Sequence, residues 1–389
     1  MPARTNTPTK ESMPTRTRAV DAFLITALIG AIKLGVLALF SHRTGKSINA
    51  ALAEWDAKFY MGIAEGGYFH PTQPPIEGPP HERALAFFPA FPALLRALHT
   101  ISGADYLTLG TTISQILSFV ACLGIMTLAA RSGLGRTGQI GAGILLLGAP
   151  LAITMIMPYS EALFMALSTW ALVAIIDRKW LTAGALTMLA GLVRLTAVDL
   201  VAVLVLIALY TTFTRGQNLW RAWGAVAISP VGIASYLAYA NHHLANAGGY
   251  FTIQRQGWHS YFDFGAATLR FLARVSFDNT SIIGYYLSAV IIIAAAIAVP
   301  ATWPSVKRAT LPVEIWLFGA AVAANMLLSD GIMHSRPRLL LPAYLLLIPL
   351  VGEITHKRSR PAQVAIATAY VAFGAWMSAY FLTVFPWAI

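Results

Sequence analysis

Eleven apolar runs, most of them separated by short basic connections, set the limits on what this chain can fold into. They lie near residues 20–41, 106–130, 138–156, 161–177, 180–193, 197–214, 219–240, 281–301, 311–329, 338–353 and 362–384. A helix needs about 20 apolar residues to cross a bilayer, and a spanning segment must satisfy its own backbone polar groups. Continuous runs of this length therefore predict an all-α polytopic membrane protein, a bundle of about 11 transmembrane helices of which two or three are short. Composition agrees: 57% of residues are AVILMFWYC and 11% are charged, against about 25% charged in ordinary soluble domains. Mean hydropathy is +0.65, and no polar stretch is long enough to build a soluble domain. The chain divides into a basic leader (1–19), one membrane domain (20–384) with large outer loops at 42–105 and 241–280, and a short tail (385–389).

The basic balance, 27 Lys+Arg against 16 Asp+Glu, would suggest nucleic acid in a soluble protein. In a membrane protein it mainly fixes orientation, so no nucleic-acid partner is expected. With the N-terminus inside, most of the Lys+Arg fall on the cytoplasmic side, including the leader, Arg131/Arg136, Arg178/Lys179, Arg215/Arg221, Lys307/Arg308 and the 356–360 stretch. The first run follows a basic leader, as signal peptides do, but at over 20 residues and without a small-residue cleavage site it reads as an uncleaved span. This threading splits 180–214 into two short spans around Arg194 and places the aromatic, acidic and histidine residues of the loops outside. The expected location is the plasma membrane, with any chemistry on the outer face.

Several chemistries are excluded by what is missing. Cys122 is the single cysteine and lies within an apolar run, which rules out an intramolecular disulfide. No D-x-D or H-E-x-x-H occurs, and Thr44-Gly45-Lys46-Ser47 lacks the upstream glycine of a phosphate-binding loop. His242-His243 are sequence neighbours that point in different directions on a regular element, a poor metal pair. Within the spans, Lys33 and Asp199 are costly residues that require polar company.

The informative stretch is Ala53-Glu54-Trp55-Asp56-Ala57-Lys58-Phe59-Tyr60, continuing through Glu65 to Gly66-Gly67-Tyr68. Helical spacing puts Leu52, Trp55, Phe59 and Ile63 on one face, predicting an amphipathic interfacial helix stopped by the glycine pair. Asp56 and Tyr60 lie one turn apart. Glu65 is nine residues from Asp56 and about half a turn out of phase, so the two carboxylates cannot serve one substrate atom. After a stiff proline-rich segment at 70–80 comes Phe87-Phe88-Pro89-Ala90-Phe91-Pro92, the start of a second interfacial helix.

The order W-D-x-x-x-Y-x-x-I-A-x-x-G-Y followed by F-F-P-x-x-P resembles the PIG-V type mannosyltransferases of the GT-C superfamily, membrane enzymes that take mannose from a polyprenyl- or dolichyl-phosphate carrier. Pro158-Tyr159-Ser160-Glu161, Leu192-Val193-Arg194, Gln256-Gly257-Trp258 and His334-Ser335-Arg336-Pro337-Arg338 resemble later motifs of that family. Leu339 stands where its pattern has tyrosine, and the compact loops point to a bacterial member. The resemblance implies a GT-C-like bundle that transfers mannose from polyprenyl-phosphate-mannose to a lipid-linked or glycan acceptor. Asp56 would be the general base. Donor phosphate would meet Arg194, Arg338, Arg336, Arg255 and His334, and substrate would meet Tyr60, Glu65, Tyr159, Glu161, Gln256 and Trp258.

The implied chemistry suits these residue types. Guanidinium groups can neutralise a leaving phosphate, so neither a metal nor a cofactor is required. One carboxylate suffices for a single inverting displacement, with general-base catalysis worth about 10²–10⁴-fold. Other readings of the same residues stay open. Arg194 and Arg338 could snorkel at span edges, Glu161 could cap a helix, and the aromatic residues could anchor the interface. Another sugar on the same carrier, such as arabinose, or a lipid or sugar transporter remain the alternatives.

Overall fold

The computed structural model describes residues 14–69, 83–214, 219–278, 282–387 and 389. The proline-rich segment at 70–80 and most of the basic leader lie outside those residues. The chain opens with α1 (Thr15–Thr44), α2 (Ile48–Leu52), α3 (Asp56–Gly66), α4 (Ala90–Ser102), α5 (Tyr106–Arg131) and α6 (Arg136–Leu147). It continues with α7 (Glu161–Ile176), α8 (Trp180–Gly191), α9 (Ala197–Thr214), α10 (Leu219–Ile228) and α11 (Val231–His243). α12 (Tyr250–Trp258), α13 (Ala266–Phe277), α14 (Ile283–Lys307), α15 (Val313–Leu327), α16 (Arg336–Leu339), α17 (Ile348–Lys357) and α18 (Arg360–Thr383) complete it. Among the described residues the only β pairing is the isolated bridge between Phe262 and Ser329.

Local chemistry explains the boundaries. Asp105 caps α5 by accepting the Thr108 N–H at 2.9 Å. Gly45 closes α1 in the left-handed region, φ 73°, which glycine adopts at no steric cost. α8 stops at Gly191 and α9 resumes at Ala197, so the expected break at Arg194 is present.

The expected spans differ in length. Among the described residues six helices are long and apolar enough to cross a membrane, with Leu219–His243 taken as one, and the bent pair Met333–Leu339 and Leu341–Lys357, turned by 59°, raises this to seven. Glu161–Ile176, Trp180–Gly191 and Val313–Leu327 are apolar but shorter. The 138–156 run forms only α6 and then a turn and a 3-10 helix at Ala152–Met155. At 1.5 Å per residue, the 12 residues of α6 span about 18 Å. The reason is that an apolar run reads alike whether it faces lipid or protein. α7 is buried at nearly every position, so its hydrophobicity serves the interior of the bundle.

The main core surrounds the α5–α7 contact and includes Cys122, Ile125, Met126, Phe164 and Leu172. A Cβ at Gly124 would lie 2.1 Å from Thr169 Oγ1, so the two helices approach as closely as glycine allows. Lys33 is buried in α1 and Asp199 in the first turn of α9, where its side chain meets Asn325.

The expected single helix through Trp55 is divided. Trp55 has φ 56° and ψ −121°, so α2 ends at Leu52 and α3 begins at Asp56. A non-glycine residue in so sparsely populated a region costs about 1–3 kcal/mol and persists only where its surroundings impose it. The consequence is positional: Asp56 occupies the first turn of α3, and Phe59, Tyr60, Ile63 and Ala64 face inward.

Candidate active site

Four loop and helix-end segments converge on one buried polar cluster: the start of α3, the Tyr159–Glu161 corner before α7, the Arg194 turn and α16. Arg338 Nη1 lies 2.6 Å from Asp56 Oδ2 and 3.3 Å from Glu161 Oε1. Arg194 Nη1 lies 2.7 Å from that same Glu161 oxygen. One carboxylate oxygen thus gathers two guanidinium groups, and a second carboxylate shares one of them. The Arg338 guanidinium also stacks over the Tyr159 ring at 5.2 Å.

Tyr159 fixes the start of α3. Its hydroxyl accepts the Asp56 N–H at 3.2 Å and donates to the Glu54 carbonyl at 3.3 Å, which holds the turn around Trp55. Tyr60 meets Ser160 Oγ at 2.7 Å, and Arg194 Nη1 donates to that hydroxyl at 3.2 Å. The Arg194 turn is itself anchored, because the Ala90 N–H at the head of α4 donates to the Leu192 carbonyl at 3.0 Å.

The electrostatics follow from burial. Burial pushes the Tyr60 and Tyr159 hydroxyls well above their ordinary range, and Asp56 and Glu161 add to the effect. At Arg194 burial acts most strongly, against the charge, yet Glu161 and Tyr60 together outweigh it and the net shift is upward. Two buried atoms, Glu161 Oε2 and Arg338 Nε, have no hydrogen-bond partner. A buried unpaired donor costs about 1–3 kcal/mol, so the cluster retains unused binding capacity. The cavity between Glu161, Arg194 and Arg338 is only about 10 Å³, at the lower limit for one water.

Of the residues expected from sequence, Asp56, Tyr60, Tyr159, Glu161, Arg194 and Arg338 come together here. Trp258 is removed from them by one ring: it packs on Phe87 at 5.7 Å, and Phe87 packs on Tyr60 at 5.2 Å. The other expected residues have different surroundings. Arg336 points elsewhere, donating to the Ser329 carbonyl at 2.5 Å and facing Asp330 and Asp263, because positions i and i+2 lie on opposite sides of a helix. His334 packs between the Tyr285 and Phe385 rings at 5.7 and 5.3 Å.

Arg255 lies over the exposed Tyr261 ring at 5.0 Å, and Gln256 is exposed while Gln254 turns inward to Tyr250 Oη at 2.9 Å. Glu65 ends α3 with its side chain exposed, and its backbone carbonyl receives Arg96. Ser160 is the member that sequence reasoning left unassigned. Its place between Tyr159 and Glu161 in an otherwise polar corner was the available signal. Among the described residues, no group of three His, Cys, Asp or Glu side chains is placed to hold a metal.

The nearly all-helical architecture, with six or seven candidate spans among the described residues and loop helices gathered around the cluster, is that of a multi-pass membrane protein. The fold is similar to that of ArnT from Cupriavidus metallidurans, whose crystal structure has undecaprenyl phosphate bound. The superposition has a TM-score of 0.54 at 15% identity and covers 92% of this chain and 69% of that one. No family model and no curated protein matches the sequence.

Proposed function

We propose that this protein is a membrane glycosyltransferase that moves mannose from polyprenyl-phosphate-mannose to a hydroxyl of a lipid-linked or glycan acceptor, on the outer face of the membrane. The observation that carries the reading is the pair of buried guanidinium groups on one Glu161 oxygen, with Asp56 on the second of them. The bound undecaprenyl phosphate of the fold neighbour supports a polyprenyl-phosphate ligand. The mannosyl unit rests on the likeness of the first-loop motif to the PIG-V type family.

In the proposed reaction an acceptor hydroxyl oxygen attacks the anomeric carbon as the bond from that carbon to the phosphate oxygen breaks. The electron pair leaves with the phosphate, and the hydroxyl proton passes to Asp56. Arg194 and Arg338 hold the phosphate and neutralise the charge it gains. The 10 Å³ cavity has no room for a phosphate, so the donor enters by exchange, taking guanidinium contacts from Asp56 and Glu161. That exchange frees the Asp56 carboxylate for the acceptor as the donor binds. Tyr60 and Ser160 hold Arg194 in place, and Glu161 keeps the two arginines together.

The test is transfer in proteoliposomes from radiolabelled polyprenyl-phosphate-mannose to an acceptor extract. The reading expects labelled glycolipid or glycan with wild type and none with Arg338→Ala. Label transferred only from another polyprenyl-phosphate sugar would refute mannose. Movement of lipid across the bilayer with no transfer from any such donor would refute the enzyme.

A further inference from the structure

A second polar site lies at the opposite end of the bundle. α5 starts beside the candidate active site, where Tyr106 Oη donates to the Ala64 carbonyl of α3. It runs 26 residues, about 39 Å, to Arg131, and α7 runs 16 residues, about 24 Å, from Glu161 of the candidate site to the turn at Asp177, which pairs with Arg131 at 2.7 Å. Just beyond Arg131, the Ser132–Gly138 loop, the end of α14 and the last turns of α17 enclose a groove of about 510 Å³. That volume lies within the range of small-molecule sites, about 300–1,000 Å³.

The lining is predominantly basic. Arg136, Arg308, His356 and Lys357 face the groove against a single carboxylate, Glu353. Arg136 is held by Asp21 at 2.8 Å and Lys357 by Glu353 at 3.2 Å. Arg308 has no carboxylate within ion-pair distance among the described residues, and its Nε only folds back on the Pro304 carbonyl at 3.2 Å. The groove also receives the head of α6, a 12-residue helix whose N-cap is Gly135 and which has no side-chain cap. Thr137 adds a hydroxyl, the Thr310 hydroxyl already donates to the Ser305 carbonyl at 3.2 Å, and Leu134 and Pro349 add apolar wall. Arginine, helix dipole and hydroxyl donors together suit a tetrahedral oxyanion.

From this we infer that the groove is a binding site for a phosphate-bearing anion, separate from the transfer site. α5, α14 and the bent Met333–Lys357 pair, all candidate spans, end around it, so it stands where the phosphates of membrane lipids lie. The phosphate can come from an anionic lipid headgroup or from free phosphate. The inference does not depend on the reaction assigned to the other end.

The test uses the full chain, purified in detergent and delipidated, titrated calorimetrically with short-chain phosphatidylglycerol, short-chain phosphatidylcholine and inorganic phosphate. Saturable binding of phosphatidylglycerol at least about tenfold tighter than phosphatidylcholine identifies a lipid headgroup. Equal binding of inorganic phosphate identifies the free anion. In either case Arg308→Ala, with unchanged elution profile and melting temperature, weakens binding about tenfold, and Arg308→Lys restores most of it. Binding unaffected by Arg308→Ala, binding abolished instead by Arg338→Ala, or no saturable binding of any of the three overturns the proposal.

Discussion

Replacing Asp56 by asparagine separates two roles that most site mutations would lose together. Asp56 Oδ2 lies 2.6 Å from Arg338 Nη1, with the Asp56 side chain 19% exposed and that of Arg338 9%. In the proposed exchange this carboxylate competes with the donor phosphate for the guanidinium. Hydrogen bonds to charged groups contribute about 1.5–3 kcal/mol, and Glu161 at 3.3 Å still holds Arg338 in the variant. Removing the competitor should therefore tighten lipid-phosphate binding by about 1.4 kcal/mol, or tenfold. Turnover should fall by about 10²–10⁴-fold, the usual contribution of a general base. Equilibrium binding of polyprenyl phosphate to purified Asp56→Asn, beside single-turnover transfer, measures both. Weaker binding in the variant would refute the exchange, and wild-type turnover would remove Asp56 from the chemistry.

Other perturbations follow from the same contacts. Glu161→Gln leaves two buried guanidinium groups with one carboxylate; breaking a buried pair costs about 3–5 kcal/mol, so denaturant midpoint and transfer should fall together, and an unchanged midpoint would count against the bridging role. Gly110→Ala puts a Cβ 2.5 Å from Pro158 Cβ, and an overpacking cost of about 1–3 kcal/mol should appear as lower stability and a displaced Tyr159–Glu161 corner; unaltered transfer would show that the corner tolerates the shift. Glu54, between Lys58 at 2.7 Å and Lys46 at 3.6 Å, is raised by partial burial but lowered further by the two lysines, a net depression. A depressed folded pKa gives stability above the unfolded value, about 4.3, that is lost as pH falls through the folded value. The melting difference between wild type and Glu54→Gln should thus shrink on acidification below that range, and a difference that grew would reverse the assignment.

The sequence carried the helices further than it carried the site. Apolar runs located the helices outside the two large loops but not α12 and α13 within the second, and the break at Arg194 was legible because a charged residue interrupts two runs too short to merge. The length of each span was not, since α7 is apolar largely for protein contacts and stops after 16 residues. Asp56 and Tyr60 could be paired by helical spacing. The meeting of Asp56 with Arg338 could not, because 282 positions separate them and only the tertiary fold joins them. Two arginines with one residue between them show the limit most clearly: Arg336 and Arg338 look equivalent in the chain, yet one serves the Ser329 carbonyl and the other the acidic pair. The turn at Trp55 left no trace either, for its positive φ is imposed by Tyr159 from a distant segment.

In the proposed reaction the phosphate of the donor sits in the acid–arginine cluster at the head of α3. A cryo-electron microscopy structure of the protein in nanodiscs with polyprenyl phosphate added tests it most directly. The account predicts phosphate density within hydrogen-bond reach of both Arg194 and Arg338, with Asp56 released from Arg338. Phosphate density confined to the Arg308 groove, or a cluster whose Asp56–Arg338 pair stays closed under saturating lipid, would contradict it.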